Sequence, residues 1–94
     1  MSIIHTIREK IARREYEFTI PRFFEEMAND NLIFADIEMA ITHGRIRRKF
    51  TRDPRGIRYE VVGPATDGRE IGIICRIKST GRLLLITTYA LEEI

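Results

Sequence analysis

The 94-residue chain has no tryptophan, a single cysteine and three prolines. Each scarcity excludes something. One thiol, Cys75, cannot close an internal disulfide. With two histidines far apart and no CxxC or HxxxH spacing, a zinc site within the chain is not expected either. The longest apolar run, Leu83–Ile86, is far too short to span a bilayer. Ser2–Ile11 mixes isoleucine with Arg, Glu and Lys, so it lacks the apolar stretch of a signal peptide, and a cytoplasmic location is expected. Glycine-rich phosphate loops, Ser/His/Asp or Cys/His constellations and carboxylate pairs at helical catalytic spacing are missing. No cofactor, metal or membrane partner is therefore expected. The composition that remains, 44% apolar and 32% charged, suits one soluble domain over residues 1–94 with one modest core.

Charge is present but unevenly placed. Residues 1–44 carry five basic and eight acidic side chains, and residues 45–94 carry eleven and six. The overall charge of +2 thus hides a patch: Arg45 to Arg58 holds seven basic residues against one acid, Asp53. Clustered cations with few acids between them are the footprint of a polyanion site. Thirteen of the sixteen basic residues are arginine, whose planar fork suits phosphate and carboxylate alike. Within the patch Ile46, Arg48 and Phe50 alternate with Arg45, Arg47 and Lys49, which predicts a strand with two differently dressed faces.

The first half reads as helices. Ile4, Ile7 and Ile11 recur at helical spacing after Ser2, a suitable N-cap. Glu15–Phe18 alternates charged and aromatic residues and suits an extended segment. Thr19 is placed to cap a second helix with Pro21 in its first turn and Ile20, Phe23, Phe24 and Met27 along one face. A third helix carries Ile33, Ile37, Ala40 and Ile41 and ends at Gly44. His43, in its last turn, reads as a carbonyl cap rather than a catalyst.

The second half reads as four strands joined by well-specified turns. Asp53-Pro54-Arg55-Gly56 has the residue order of a type I turn, Asp67-Gly68 is a tight-turn pair, and Ser79-Thr80-Gly81 suits a three-residue hairpin loop. Leu83–Tyr89 is apolar almost throughout and so should be a central strand or one covered on both sides. The expected class is α+β, with N-terminal helices on one face of a four-stranded antiparallel β-meander and the other face left open. If Ile57, Tyr59 and Val61 face the helices, Arg58 faces out beside Arg45, Arg47 and Lys49, with Arg76 and Lys78 on the same side as Gly72. The alternation is equally compatible with the reverse. Guanidinium groups converging on one face would hold phosphates, although a solvated basic face balancing acidic helices has the same composition. Tyr89 beside arginines could transfer protons and Thr87 could bind a phosphate oxygen, while both also suit plain strand sequence. Cys75 among isoleucines reads as a buried structural thiol.

Gly44, Asp53-Pro54-Arg55-Gly56, Gly63, Asp67-Gly68-Arg69 and Ile86-Thr87-Thr88-Tyr89 together resemble the pattern of a bacterial family, domain of unknown function 4258, over about residues 16–91. Members of that family are similar in layout to toxins of the RelE and MqsR type, metal-independent endoribonucleases of toxin–antitoxin pairs. The resemblance implies a RelE-like fold, RNA as substrate and an antitoxin partner with a zinc-binding or helix-turn-helix region. Carried over by position, it points to Thr87 and Tyr89 in the last strand and to Arg55 and Arg58 around the second. At the start of the second helix the chain departs from the pattern: Arg22 stands where the family has histidine, followed by Phe23 where the family has alanine. An arginine can bind phosphate there but cannot donate a proton at neutral pH.

Two functions follow as expectations. The first is a toxin-like endoribonuclease with Arg58, Arg76, Thr87, Tyr89 and Arg22 as catalytic candidates and Arg45, Arg47, Arg48, Lys49 and Arg55 as RNA-binding ones. The second is a non-catalytic basic domain that docks an acidic protein or a nucleic acid.

Overall fold

A computed structural model describes residues 2–91. Three helices and five strands follow in the order α1 (Ile3–Ala12), β1 (Tyr16–Phe18), α2 (Arg22–Asn29), α3 (Phe34–His43), β2 (Arg45–Phe50), β3 (Arg58–Pro64), β4 (Glu70–Ile77) and β5 (Leu83–Ala90). The class is α+β as expected, but the sheet is five-stranded and mixed, in the order β1-β5-β4-β3-β2. The meander of β2 to β5 is antiparallel throughout, and β1 joins its far edge parallel to β5. The extended Tyr-Glu-Phe segment is this extra strand. Tyr16 and Phe18 pack against the core, while Glu17 meets Lys78 at 2.8 Å and Arg82 at 3.1 Å. β5 is an inner strand over Leu83–Leu85, where β1 flanks it, and lies at the edge of the sheet beyond.

The helices cover one face. Ile7, Phe23, Ile37 and Ile41 are fully buried against Val61, Ile71, Ile73, Cys75, Leu83 and Leu85 from the sheet. Each such side chain contributes roughly 1.5–3 kcal/mol through burial. Cys75 lies in this layer, and burial pushes its thiol up to about 12, which makes it inert as a nucleophile. Tyr59 and Ile46 pack against the same layer.

The family-like motif residues turn out to be devices that lock helices to the sheet. A side chain at Gly44 or Gly63 would strike the Ala40 carbonyl, so these two glycines let the end of α3 cross directly over β3. Asp36, only 4% exposed, accepts from the Ile33 amide at 2.8 Å and from the Thr66 amide and hydroxyl at 2.9 and 2.6 Å. That ties the start of α3 to the β3–β4 turn. Arg69, from the Asp-Gly-Arg hairpin, donates to the Asp30 and Asn31 carbonyls at 2.8 and 3.2 Å and so closes the end of α2.

Two capping expectations are corrected. Thr19 does not cap α2; its hydroxyl donates to the Ile86 carbonyl at 2.7 Å, and Pro21, after a cis Ile20–Pro21 peptide, precedes the helix. The end of α3 is capped by Arg8, which donates to the Ile41 and Gly44 carbonyls at 3.0 and 2.9 Å, and His43 is exposed. Arg8 lies more than thirty residues away in sequence, so no local pattern announces it.

The β5 edge needs its own protection because β1 pairs only with Leu83–Leu85. Beyond that point α2 supplies acceptors in place of a strand. Glu26 takes the Thr88 amide at 3.4 Å and Asp30 takes the Ala90 amide at 2.9 Å, which blocks the pairing groups of an open edge.

Candidate active site on the open face of the sheet

Residues directly opposite each other on paired strands share a face. Since Tyr59 and Val61 face the helices, Arg58, Glu60 and Val62 point to the open side, with Ile74, Gly72 and Arg76 beside them on β4. This settles the choice of faces left open by the alternation. The pattern on β2 is not a simple one, however. The register shifts between Ile46 and Arg48, so one extra residue is accommodated there. Ile46, opposite Val61, packs toward the core, whereas Arg48 is opposite Glu60 and Phe50 opposite Arg58. Lys49 is opposite Tyr59 and therefore lies on the helix side, not beside Arg58. The bulge has a consequence: Arg47 and Arg48, neighbours in sequence, both reach the same carboxylate.

That carboxylate is Glu60, only 3% exposed although it sits on the open face. Arg47 donates to it as a two-pronged fork, Nε to Oε1 at 2.7 Å and Nη2 to Oε2 at 2.9 Å. Arg48 Nε lies 3.4 Å from Oε1. The hydrogen bond to Glu60 is the main reason the Arg47 guanidinium is held even more firmly protonated than usual. The Tyr89 hydroxyl donates to Glu60 Oε2 from β5, two strands away. It can do so because Gly72 lies between them: a Cβ there would come within 2.5 Å of the tyrosine ring. Four strands thus contribute to one cluster, β2 through Arg47 and Arg48, β3 through Glu60, β4 through the absent side chain of Gly72, and β5 through Tyr89.

A second cluster lies at the corner of the face. Asp53, in the β2–β3 loop, accepts from the Arg55 amide at 2.9 Å and from Arg55 Nε at 3.2 Å. Those bonds, the amide first, hold its carboxyl below the usual range. Arg58 Nε and Arg76 Nη1 approach Asp53 Oδ2 at 3.4 and 3.8 Å. Arg58 also lies over the Phe50 ring, 5.2 Å from its centroid, a cation–π contact. A third cluster lies at the β5 edge. Glu26 of α2 accepts from the Thr87 hydroxyl at 2.5 Å and faces Arg22 Nε at 3.5 Å.

The five catalytic candidates are therefore divided among three carboxylates: Arg58 and Arg76 with Asp53, Tyr89 with Glu60, and Thr87 and Arg22 with Glu26. Of the RNA-binding candidates, Arg47 and Arg48 join the central cluster, Arg55 joins the corner one, and Arg45 faces Glu70 at 3.5 Å. Lys49 pairs with no carboxylate among the described residues. Glu60 and Glu26 are the residues that sequence reasoning missed. The only available signal for Glu60 was parity: it is two residues from Arg58 and so shares its face, one acid set among arginines. Glu26 carried no signal, since its partner Thr87 is sixty-one residues away.

Chemically, the central cluster combines a carboxylate that can accept a proton, a hydroxyl that can give one, and two fixed cations. No curated protein and no solved structure matches the chain. The model of the family described as Domain of unknown function (DUF4258) matches residues 23–90, most of the chain from the start of α2 to the end of β5, and the chain belongs to that family.

Proposed function

We propose that this protein is a RelE-like endoribonuclease toxin that cleaves RNA at the Glu60–Tyr89–Arg47–Arg48 cluster. The observation that carries the reading is the meeting of a buried carboxylate, a tyrosine hydroxyl and two guanidinium groups on the sheet face opposite the helices of the described residues. Structural stability alone gives a weak reason to bury a glutamate there, because hydrophobic residues of similar volume often replace such clusters without loss.

In the proposed reaction the ribose 2′-hydroxyl attacks the adjacent phosphorus. Glu60 takes the hydroxyl proton as the P–O2′ bond forms. The P–O5′ bond breaks, and Tyr89 gives its proton to the leaving 5′-oxygen. A 2′,3′-cyclic phosphate and a 5′-hydroxyl result. The proton on Glu60 then returns to the tyrosine oxygen along the hydrogen bond that joins them, which restores both groups. Arg48, mostly exposed, takes the phosphate oxygens, while Arg47 keeps Glu60 in position. A base, an acid and a phosphate cation are each worth roughly 10²–10⁴-fold in such steps.

Induced expression should arrest growth, and purified protein should cut single-stranded RNA in the presence of EDTA to leave cyclic phosphate ends. Glu60→Gln and Tyr89→Phe should each reduce cleavage at least a hundredfold while the protein stays folded. Intact RNA after incubation with the wild-type protein rejects the proposal.

A second reading, a basic domain that docks an acidic protein such as an antitoxin, has one specific observation in its favour. Most arginines of the patch already lie against carboxylates, an arrangement that a partner's acidic side chains could extend. Stable, salt-sensitive capture of an acidic partner by protein that is inert on RNA would select it.

A further inference from the structure

The cleavage chemistry leaves the corner of the open face unused. There the end of β2 and the β2–β3 loop enclose a groove of about 480 Å³ lined by Lys49, Phe50, Arg52, Asp53, Arg55 and Arg58 among others. Three of these cations, Arg52, Arg55 and Arg58, share the groove with one acid, Asp53. Among the described residues, Lys49 and Arg52 pair with no carboxylate. Arg58 Nε is buried and makes no hydrogen bond, since Asp53 lies 3.4 Å away and out of line. A buried, unsatisfied donor on a charged group is costly unless something completes it. Among the described residues Asp53 is the only anion at the place where Arg55, Arg58 and Arg76 meet, and it satisfies Arg76 poorly, at 3.8 Å. The Arg58 guanidinium, 5.2 Å from the Phe50 ring centroid, lines the groove together with that ring. Guanidinium and aromatic planes of this kind are where unpaired nucleobases stack.

We propose that this groove is a nucleotide subsite for single-stranded RNA, with a backbone phosphate held by Arg52, Arg55 and Arg58 and its base stacked on the Arg58–Phe50 platform. The choice of RNA rests on the ribonuclease reading. Arg58 is two residues from Glu60 on the same face of β3, about 6.6 Å along the strand, so a chain in the groove leads directly to the central cluster. Asp53 occupies the phosphate position as an internal anion and competes with the ligand.

The test is binding of a short fluorescent RNA whose riboses are all 2′-O-methylated, which cannot be cleaved, followed by anisotropy over a range of salt. The double variant Arg52→Ala/Arg55→Ala should bind at least tenfold more weakly than the wild type. Its slope of log K against log salt should also be shallower by up to about 1.4, the effect of two lost phosphate contacts on a single strand. Both side chains are exposed, so the fold should be unaffected. Phe50→Leu should weaken binding roughly five- to tenfold through lost stacking. Asp53→Asn keeps an acceptor for the Arg55 amide but removes the competing charge, and should tighten binding several-fold. Unchanged affinity and slope in the double variant, weaker binding by Asp53→Asn, or capture of polyglutamate in place of the oligonucleotide overturns the proposal. If the binding results hold while the wild-type protein leaves ordinary RNA intact, the subsite stands and cleavage at Glu60 does not.

Discussion

Glu60 and Asp53 lie on one β-hairpin, and each has arginines gathered around it, but they are held by different means. Glu60 is locked by strand register: its partners come from β2 and β5, and the Gly72 gap in β4 lets the tyrosine reach it. Asp53 is held mainly by its own loop, through the amide and side chain of Arg55 two residues on, and its strand partners stand off at 3.4 and 3.8 Å. The first arrangement cannot move without disturbing four strands, whereas the second can change with a few loop dihedrals. A preorganised cluster suits catalysis, where donors must be in place before charge develops, and an adjustable one suits binding.

The largest expected contrast is in stability. Glu60→Ala leaves the Arg47 fork and the Tyr89 hydroxyl without their acceptor, and should cost about 2–3 kcal/mol, less than a fully enclosed pair because Arg47 is one-third exposed. Asp53→Ala should shift the urea midpoint much less. Equal midpoints for the two variants would erase the distinction between register and loop.

A smaller change sharpens the geometry. Gly72→Ala places a methyl group where the tyrosine ring now lies, and the ring, being the end of a side chain, can swing away. The fold should survive at a cost of about 1 kcal/mol. RNA cleavage should fall as far as it does in Tyr89→Phe, because in both variants the hydroxyl no longer reaches Glu60. A Gly72→Ala protein with wild-type cleavage would show that the Tyr89–Glu60 contact does not serve the reaction.

How much of this was legible in the chain depends on how far apart the cooperating residues are. The Asp53–Gly56 turn could be read because all its parts are within four residues, and the structure shows the Gly56 amide bonded to the Asp53 carbonyl at 3.1 Å with Gly56 at φ 126°. The buried thiol and the apolar faces built on Ile7, Ile11, Phe23, Met27, Ile37, Ala40 and Ile41 followed from periodicity in the same way, but Ile20, Phe24 and Ile33, expected on those faces, are exposed because Ile20 and Ile33 lie outside the helices and Phe24 points away from the core. The fifth strand escaped because three residues, Tyr16–Phe18, are too few for a periodic signal and pair with a segment over sixty residues away. The bulge in β2 escaped because Arg47 and Arg48 are chemically identical, so nothing in the sequence marks which is the extra residue; strict alternation then put Lys49 on the wrong face. Glu60 and Glu26 were hidden for a third reason. An acid among arginines looks like simple charge balance until the register shows which groups it holds.

Acid offers a gentler test of the loop. The Asp53 carboxyl is held below its ordinary value of 3.8, chiefly by the Arg55 amide. A depressed native value means the carboxylate's contribution is complete above that ordinary value and is lost as the pH falls below it through the native one. The Arg55 amide resonance of the wild-type protein at low pH should move toward the position it has in Asp53→Asn at neutral pH. Two unrelated positions would mean that the loop is not held by the charge on Asp53.

The smallest effect is expected at Arg22, the position where the family resemblance fails. Arg22 is 63% exposed and meets Glu26 at 3.5 Å one helical turn on, an exposed pair worth about 0.3–0.5 kcal/mol. Through Glu26 and Thr87 it belongs to the β5 edge. Thr87 is opposite Ile74, and Ile74 is opposite Glu60, so the edge cluster lies two strand spacings, about 10 Å, from the Glu60 carboxylate. Arg22→Ala should therefore lower RNA cleavage no more than about threefold, against a hundredfold or more for Glu60→Gln, and should leave the pH profile unchanged. A hundredfold loss at Arg22, or a profile that moves with it, would place the chemistry at the β5 edge and reduce the Glu60 cluster to a structural clasp.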